Sequence, residues 1–286
     1  MSCLKVGCKI LRRVAIVVCL LTFAAITRAA EPAPPRTADY LREAYREDAE
    51  KCHFSRADGT PLKLAKKPIM RWTNDDDWSG DVFVWSDGET PAVIGCILSG
   101  PFDSLRYVYH EFHLLSDKPI AGADVQDGRR WEPATKLERE LLADVPPPAG
   151  SASGRLVQMR KIARSFTAQM EADGRWELRL LPQPLIRFGK EDGDVLDGAL
   201  FCYVWTKGTD PELILLLECR RDGREPAWHY APVLFTNREV WLKHEDREVW
   251  HAEPHQEPAG KLATGIYTTA FARSIPAKKE ADVPTP

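Results

Sequence analysis

The segment RYVYHEFHLL, residues 106–115, places two histidines around a glutamate in an otherwise apolar run. Glutamate and histidine can form an acid–base pair, because histidine titrates near neutral pH. The spacing is not the H-E-x-x-H of helical zinc sites. Aromatic and β-branched neighbours favour a strand, on which Tyr109, Glu111 and His113 share one face and His110 points to the other. We predict Tyr109, Glu111 and His113 as a candidate catalytic set. The interpretation that we favour is a structural strand whose face borders solvent, with His110 hydrogen-bonded in the core.

Three consecutive aspartates, Asp75, Asp76 and Asp77, lie in the segment TNDDDWSGD. Carboxylates at this density can bind calcium through oxygen ligands, although the spacing does not match an EF-hand loop. Asn and Asp side chains also satisfy backbone N–H groups in turns. The aspartates are therefore candidate metal ligands, and a solvated turn without metal or cofactor is the interpretation that we favour.

A repeated pattern connects two parts of the chain. The segment DVFVWSDGETPAVI, residues 81–94, aligns without a gap with FCYVWTKGTDPELI, residues 201–214. This ordered similarity predicts an internal duplication. At the same offset, Glu111 and His113 meet Ala231 and Val233, so the acid and the imidazole belong to the first copy alone.

The nine tryptophans suggest carbohydrate binding, because sugars stack on exposed aromatic faces. Large aromatic residues are more often packing residues, and the duplication pairs several of them with an aromatic partner. Among the tryptophans left unpaired we predict Trp78 and Trp228, with the adjacent His229, as candidate ligand-binding residues.

Each copy begins with an apolar stripe at helical spacing and continues with β-type runs joined by turn sequences. A helix followed by an antiparallel meander predicts an α+β fold. We expect two tandem duplicated units, each with a curled sheet over its helix, as in cystatin-like or nuclear-transport-factor-like folds. This analogy to known folds implies no function.

The predicted segments run from a signal peptide to a tail. They are the signal peptide (1–30), the first α+β unit (37–135), a linker (136–153), the second α+β unit (154–254) and a C-terminal tail (255–286). The linker contains ADVPPPAGSASG, which is rich in Pro, Gly and Ser. Four cysteines follow the signal peptide, and we expect them to be buried thiols or to form a disulfide of undetermined pairing: Cys52, Cys96, Cys202 and Cys219.

The N-terminus has the layout of a secretory signal peptide. Basic residues precede an apolar run from Val14 to Ile26, and the small residues Ala29 and Ala30 follow. The run is shorter than the about 20 residues of a transmembrane helix, and an uncleaved anchor is the alternative. The formal net charge is −3 and the leader holds five basic residues and no acidic one, so the mature chain would carry −8. We expect a secreted or periplasmic protein with no later membrane span and no nucleic-acid partner.

Several phrases resemble a family of exported bacterial proteins of planctomycete type. They include WTNDDDWSGDVFVW, YVYHEFH, LRLLPQPLIRF and DGALFCYVWTKGTDPELILLLECRRDG. The resemblance covers most of residues 40–250 and implies export. The family has no assigned activity, so the resemblance implies no functional residue.

The chain lacks a nucleophile elbow, a P-loop, a dinucleotide fingerprint and a CxxC pair. We therefore expect a non-enzymatic binding or scaffold module with an unknown partner. The alternatives are a small-ligand-binding protein or hydrolase with a pocket in the first unit, and a carbohydrate-binding module.

Overall fold

Two helices, α1 (Asp39–Lys51) and α2 (Ala152–Arg164), precede the two largest groups of strands. The computed structural model describes residues 39–126, 129–222, 225–256 and 262–277. Each helix buries an apolar stripe at helical spacing. The buried apolar residues of these stripes are Leu41, Tyr45 and Ala49 in α1 and Met159, Ile162 and Ala163 in α2.

The described residues form twenty strands in addition to these helices. In chain order they are β1 (Ser55–Arg56), β2 (Lys63–Leu64), β3 (Met70–Thr73), β4 (Ser79–Asp87), β5 (Thr90–Phe102), β6 (Leu105–Leu114), β7 (Ile120–Ala121), β8 (Ala123–Gln126), β9 (Arg129–Trp131), β10 (Glu140–Leu141), β11 (Phe166–Glu171), β12 (Arg175–Leu180), β13 (Ile186–Phe188), β14 (Val195–Val204), β15 (Pro211–Asp222), β16 (Glu225–Leu234), β17 (Val240–His244), β18 (Arg247–Ala252), β19 (Leu262–Ala263) and β20 (Tyr267–Pro276).

The strands form two large antiparallel sheets. The first has the order β2-β4-β5-β6-β20, with β3 also paired to β4. The second has the order β10-β16-β15-β14-β12-β11-β17-β18, with β13 also paired to β14. Two helices and a mostly antiparallel, curled sheet structure confirm the α+β class.

Side chains alternate along the central strands, and the alternation arranges helices and sheets in four layers. Val84 on β4 and Val204 on β14 belong to one apolar cluster between the two sheets. Phe83 points the other way into the cluster that includes α1, and Tyr203 into the cluster that includes α2. The order of layers is therefore helix, sheet, sheet, helix.

The segments predicted as linker and tail take part in this architecture. Strand β20, within the predicted tail 255–286, pairs with β6 along almost its whole length. Strand β10, within the predicted linker 136–153, pairs with β16. Both cover strand edges whose N–H and C=O groups would otherwise be unpaired. These pairings correct the tail and the linker, and the weak alternation of YTTAFARSIP explains why the sequence did not reveal β20.

The two predicted α+β units, 37–135 and 154–254, lie within a single compact unit that begins at Thr37. The apolar cluster between the sheets draws residues from both of them. The predicted signal peptide, residues 1–30, lies outside the described residues. Within the described ranges, no helix is long and apolar enough to cross a membrane.

The structure decides between free thiols and a disulfide for the four cysteines. Cys52, Cys96, Cys202 and Cys219 are all buried free thiols. Burial raises the pKa of each thiol, which keeps it protonated and apolar in character.

Candidate ligand-binding cleft

A cleft of about 650 Å³ opens between the two sheets. One wall consists of the β3–β4 turn together with β5, β6 and β20, and the other of the β14–β15 turn and the β16–β17 connection. Small-molecule sites typically enclose about 300–1,000 Å³, so the cleft has a suitable size. The lining residues that matter most for its chemistry are Trp78, Tyr109, Glu111, Asp210, Glu212 and Arg238.

Glu111 lines the cleft from the first sheet and is only 7% exposed. The hydroxyl of Tyr267, on the neighbouring strand β20, donates a hydrogen bond to its carboxyl group. Burial raises the pKa of Glu111 to about 7, and the negative charge of Asp210 acts in the same direction. Glu111 therefore gains or loses its proton near neutral pH.

Asp210 and Glu212 face the cleft from the second sheet. Burial raises the pKa of Glu212 to about 8, the charge of Asp210 adds to the rise, and a hydrogen bond from Thr236 opposes it. Burial also raises the pKa of Asp210, whose Oδ2 accepts a hydrogen bond of 3.4 Å from Asn74. The charge of Asp210 thus raises the pKa of both Glu111 and Glu212, and the charge of Glu111 adds to the rise at Glu212.

Buried carboxyl groups elsewhere in the molecule have a different environment. Each contacts at least one arginine: Asp48 with Arg273, Asp81 with Arg42 and Arg71, Asp197 with Arg155 and Arg187, and Glu218 with Arg139 and Arg220. We call these four residues the paired carboxylates. Within the described part of the chain, no cationic side chain lies within 4.0 Å of the carboxyl groups of Glu111, Asp210 or Glu212.

Aromatic side chains line the first-sheet wall of the cleft. The rings of Trp78 and Tyr109 have centroids 5.9 Å apart, and Phe271 meets Tyr109 edge-on, also at 5.9 Å. Phe271 is 46% exposed, which is unusual for a large apolar residue. Trp78 lies directly over Gly100 of β5, where a Cβ atom would approach the indole ring to 2.1 Å. The glycine therefore makes room for the tryptophan that lines the cleft.

Trp205 on the second-sheet wall already interacts with cations. The guanidinium carbon of Arg238 lies 4.9 Å from its ring centroid, and Lys207 Nζ lies 4.8 Å away. Arg238 also lines the cleft and lowers the pKa of both Asp210 and Glu212 without a salt bridge to either. These contacts are cation–π interactions, which tryptophan forms best among the aromatic residues.

The predicted catalytic set is only partly brought together. Tyr109 and Glu111 both line the cleft, as strand alternation requires, but His113 does not. Its Nδ1 donates a hydrogen bond of 2.8 Å to the carbonyl of Leu114, and burial lowers its pKa to about 4. His113 is thus a neutral core residue, and Tyr267, not His113, is bonded to Glu111. His110 points to the opposite face and contacts Asp48 at 3.1 Å.

The aspartate cluster forms an Asx turn. Asn74 Oδ1 accepts hydrogen bonds from the N–H groups of Asp76 and Trp78, at 3.1 and 3.0 Å. Asp77 pairs with Arg106 at 2.7 Å, and Asp76 lines the cleft. These contacts support the turn interpretation, and Asp75, Asp76 and Asp77 are not among the described side chains that converge as a metal-ligand set.

Within the described ranges, one group of side chains brings three potential metal-ligand atoms close together. The ligand atoms of Glu239, His251 and Glu253 lie within 4.8 Å of one another. His251 already bonds Glu239 at 2.8 Å and stacks on Trp241. The imidazole is therefore held by protein contacts that need no ion.

Of the three predicted ligand-binding residues, only Trp78 reaches the cleft. Trp228 is 1% exposed and packs in the apolar cluster that includes α2. His229 is buried on the other face of β16, opposite Glu218 on β15. Strand alternation places Trp228 and His229 on opposite faces of β16, and both are buried because α2 covers one face and the first sheet covers the other.

Sequence reasoning did not single out Asp210, Glu212 or Tyr267. Asp210 and Glu212 flank Pro211 at the start of a strand that reads as an apolar run, and an acid in such a run is the signal that was available. Tyr267 falls in the segment predicted as a tail. It becomes a site residue only because β20 pairs with β6.

No protein-family model, curated protein or solved structure matches this chain. The chemistry of the cleft therefore has to be read from its own residues. Its carboxyl groups can bind hydrogen-bond donors or cations, and two of them can exchange protons near neutral pH.

Proposed function

We propose that the protein binds a small molecule in the cleft between its two sheets. The observation that carries this proposal is the convergence of aromatic residues and carboxyl groups without counter-ions on one opening of suitable size. Ligand sites combine apolar walls with a few polar groups that fix orientation. The rest of the interface between the sheets is a filled apolar core, which supports a rigid frame around the cleft.

Two exposed aromatic residues provide a matched test. Phe271 and Phe102 both pack against Tyr107, with centroids at 5.1 and 4.3 Å, but only Phe271 lines the cleft. Compounds from a metabolite panel that raise the melting temperature should bind Phe271→Ala at least about tenfold more weakly, as expected for a lost aromatic contact. Phe102→Ala should bind like the wild type. Equal binding by both variants, or no binding by any compound, would contradict the proposal.

A hydrolase is the second candidate, because general acids need a pKa near the working pH. The raised pKa values of Glu111 and Glu212 supply such groups on opposite walls. Under this alternative, Glu212→Gln abolishes turnover of a substrate that still binds. Unchanged turnover would exclude Glu212 from catalysis.

We also propose that the two sheets descend from one duplicated unit. Val84 and Val204, which are related by the shared offset, both face the cluster between the sheets. Each helix also carries an arginine that contacts an aspartate on the adjacent sheet, Arg42 with Asp81 and Arg155 with Asp197. Superposing the backbone of β3–β6 on that of β13–β16 tests this. A register shift of one residue would exchange the two faces and refute the proposal.

Export through the N-terminal segment is a further proposal, supported by the basic and apolar layout of residues 1–30 and by the family resemblance. Expression in a bacterial host followed by mass spectrometry tests it. We expect a mature chain that begins after Ala29 or Ala30, and a full-length chain kept in the cytoplasm would contradict this.

A further inference from the structure

We propose that the ligand of the cleft carries a positively charged nitrogen, as an organic ammonium or guanidinium compound. The inference rests on the proposed binding function and specifies its chemistry. The paired carboxylates contact arginines, whereas the carboxyl groups of the cleft contact no cationic side chain among the described residues.

Six carboxyl groups of the described residues are buried below a tenth of their full exposure: Asp48, Asp81, Glu111, Asp197, Glu212 and Glu218. The four paired carboxylates each have an arginine within 4.0 Å. Glu111 and Glu212, the two that line the cleft, have none among the described residues. A buried carboxylate without a partner is unstable, so the missing positive charge has to come from a ligand or a proton.

The cleft also contains buried polar atoms without partners. Asp210 Oδ1 and Trp205 Nε1 have no hydrogen-bond partner within the described part of the molecule. Both residues line the cleft. An acceptor of this kind on a carboxyl group is what an ammonium or guanidinium donor needs.

The aromatic wall is suited to the same chemistry. Trp78, Tyr109 and Phe271 offer ring faces and edges beside the carboxyl groups. Aromatic rings attract organic cations through their negative faces, and the attraction grows when the site is desolvated. The same wall would serve a neutral sugar, but a sugar would provide no counter-ion for Glu111 and Glu212 once they lose their protons.

Arg238 is the one lysine or arginine among the described residues that line the cleft. Its guanidinium group lies over Trp205 and repels any ligand cation that approaches Asp210 or Glu212. Replacing it with glutamine should therefore strengthen cation binding. An anionic ligand would require Arg238 and would bind the variant more weakly, so this single change separates the two charge classes.

The pH dependence follows from the groups around the two glutamates. Glu111 faces Tyr267, Cys96 and Asp210, and Glu212 faces Asp210, Arg238 and Glu111 itself. Asp76, Tyr109 and His255 complete the titratable lining among the described residues. As pH rises through about 7 and about 8, Glu111 and Glu212 lose their protons. A ligand with a permanent charge should bind at least about tenfold more tightly at about pH 9 than at about pH 6.

The experiment is calorimetric titration with choline and spermidine, compared with dimethylbutanol (the neutral carbon isostere of choline), cellobiose and succinate. We expect a cation to bind and dimethylbutanol to fail. Glu111→Gln and Glu212→Gln should weaken cation binding at least about tenfold and flatten its pH dependence. Glu248→Gln, an exposed control on β18, should change neither.

The outcomes separate the two proposals. One outcome is that cellobiose or dimethylbutanol binds, that Phe271→Ala weakens this binding, and that neither cation binds. The cleft is then a binding site, but the inference of a cationic ligand fails. Succinate binding that depends on Arg238 would overturn the inference in the same way. If no compound of any class binds, both proposals fail. Because glutamine matches glutamate in shape and carries no charge, the variants should fold, and circular dichroism checks that they do.

Discussion

The paired carboxylates and the cleft carboxyl groups are buried to a similar degree but have opposite surroundings. Asp197 is 3% exposed and lies between Arg155 and Arg187. Glu111 is 7% exposed, and the one described side chain that bonds its carboxyl group is Tyr267, through its hydroxyl. The first arrangement fastens a helix to a sheet. The second leaves a proton-binding group beside an opening. Burial alone thus does not tell a structural acid from a functional one, because the partner decides.

The largest expected difference is in how stability depends on pH. The pKa of Glu111 rises from 4.5 to about 7 and that of Glu212 from 4.5 to about 8, so the folded state holds protons that the unfolded chain releases. This stability is fully present below about pH 4.5 and is lost as pH rises to about 8. For the two groups together it is on the order of 8 kcal/mol, since each pKa unit corresponds to about 1.4 kcal/mol.

Urea denaturation across this range measures the loss. The double variant Glu111→Gln/Glu212→Gln should lose the decline above about pH 6.5, where His113 is neutral in the folded and the unfolded chain and adds no pH dependence. Glu248→Gln should keep the slope of the wild type. An unchanged slope in the double variant would mean that the cleft carboxyl groups are not the source.

The next effect concerns the paired carboxylates. Asp197→Ala leaves the guanidinium of Arg155 buried without its buried partner, and such losses cost about 3–5 kcal/mol. Glu191, the exposed second partner of Arg155, is the control, and its replacement by alanine should cost less than about 1 kcal/mol. Similar unfolding free energies for the two variants would remove the distinction between buried and exposed pairs.

The paired carboxylate Asp48 tests the comparison at acidic pH, where its contribution to stability is lost. Burial alone would raise its pKa, but hydrogen bonds from His110 and Arg273 outweigh burial and lower the pKa from 3.8 to about 2. The stability from this pairing is present above about pH 4 and is lost as pH falls through about 2; it amounts to about 2 kcal/mol. Asp48→Asn should therefore destabilise the protein at neutral pH and hardly at all near pH 2. Equal losses at both pH values would contradict the pairing.

The smallest expected effect separates the cleft from the core. Gly100→Ala should displace Trp78, weaken ligand binding and shift tryptophan fluorescence, at a cost in stability of about 1 kcal/mol. Gly150→Ala, where a Cβ atom meets no neighbour within 4 Å, should leave all three unchanged. Unaltered binding by Gly100→Ala would show that the position of Trp78 does not matter to the ligand.

Local patterns predicted much of the framework. The apolar stripes at helical spacing predicted both helices. Strand alternation placed Tyr109 and Glu111 on one face and His110 on the other. The same reasoning could not separate Glu111 from His113, because both lie on that face. Their fates differ through neighbours on other strands, with Tyr267 beside Glu111 and the carbonyl of Leu114 holding His113.

The sequence by itself determined the helices, most of the strands and the face on which each side chain lies, because these depend on neighbours a few residues away. Only the tertiary structure decided which acids meet arginines and which meet an opening. About a hundred residues separate Glu111 from Asp210 in the sequence, and more than fifty separate Asp210 from Tyr267. The pairing of β20 with β6 and the packing of the two sheets bring these three residues together. The charge balance of a buried site is a sum over such distant neighbours, and no local pattern contains it.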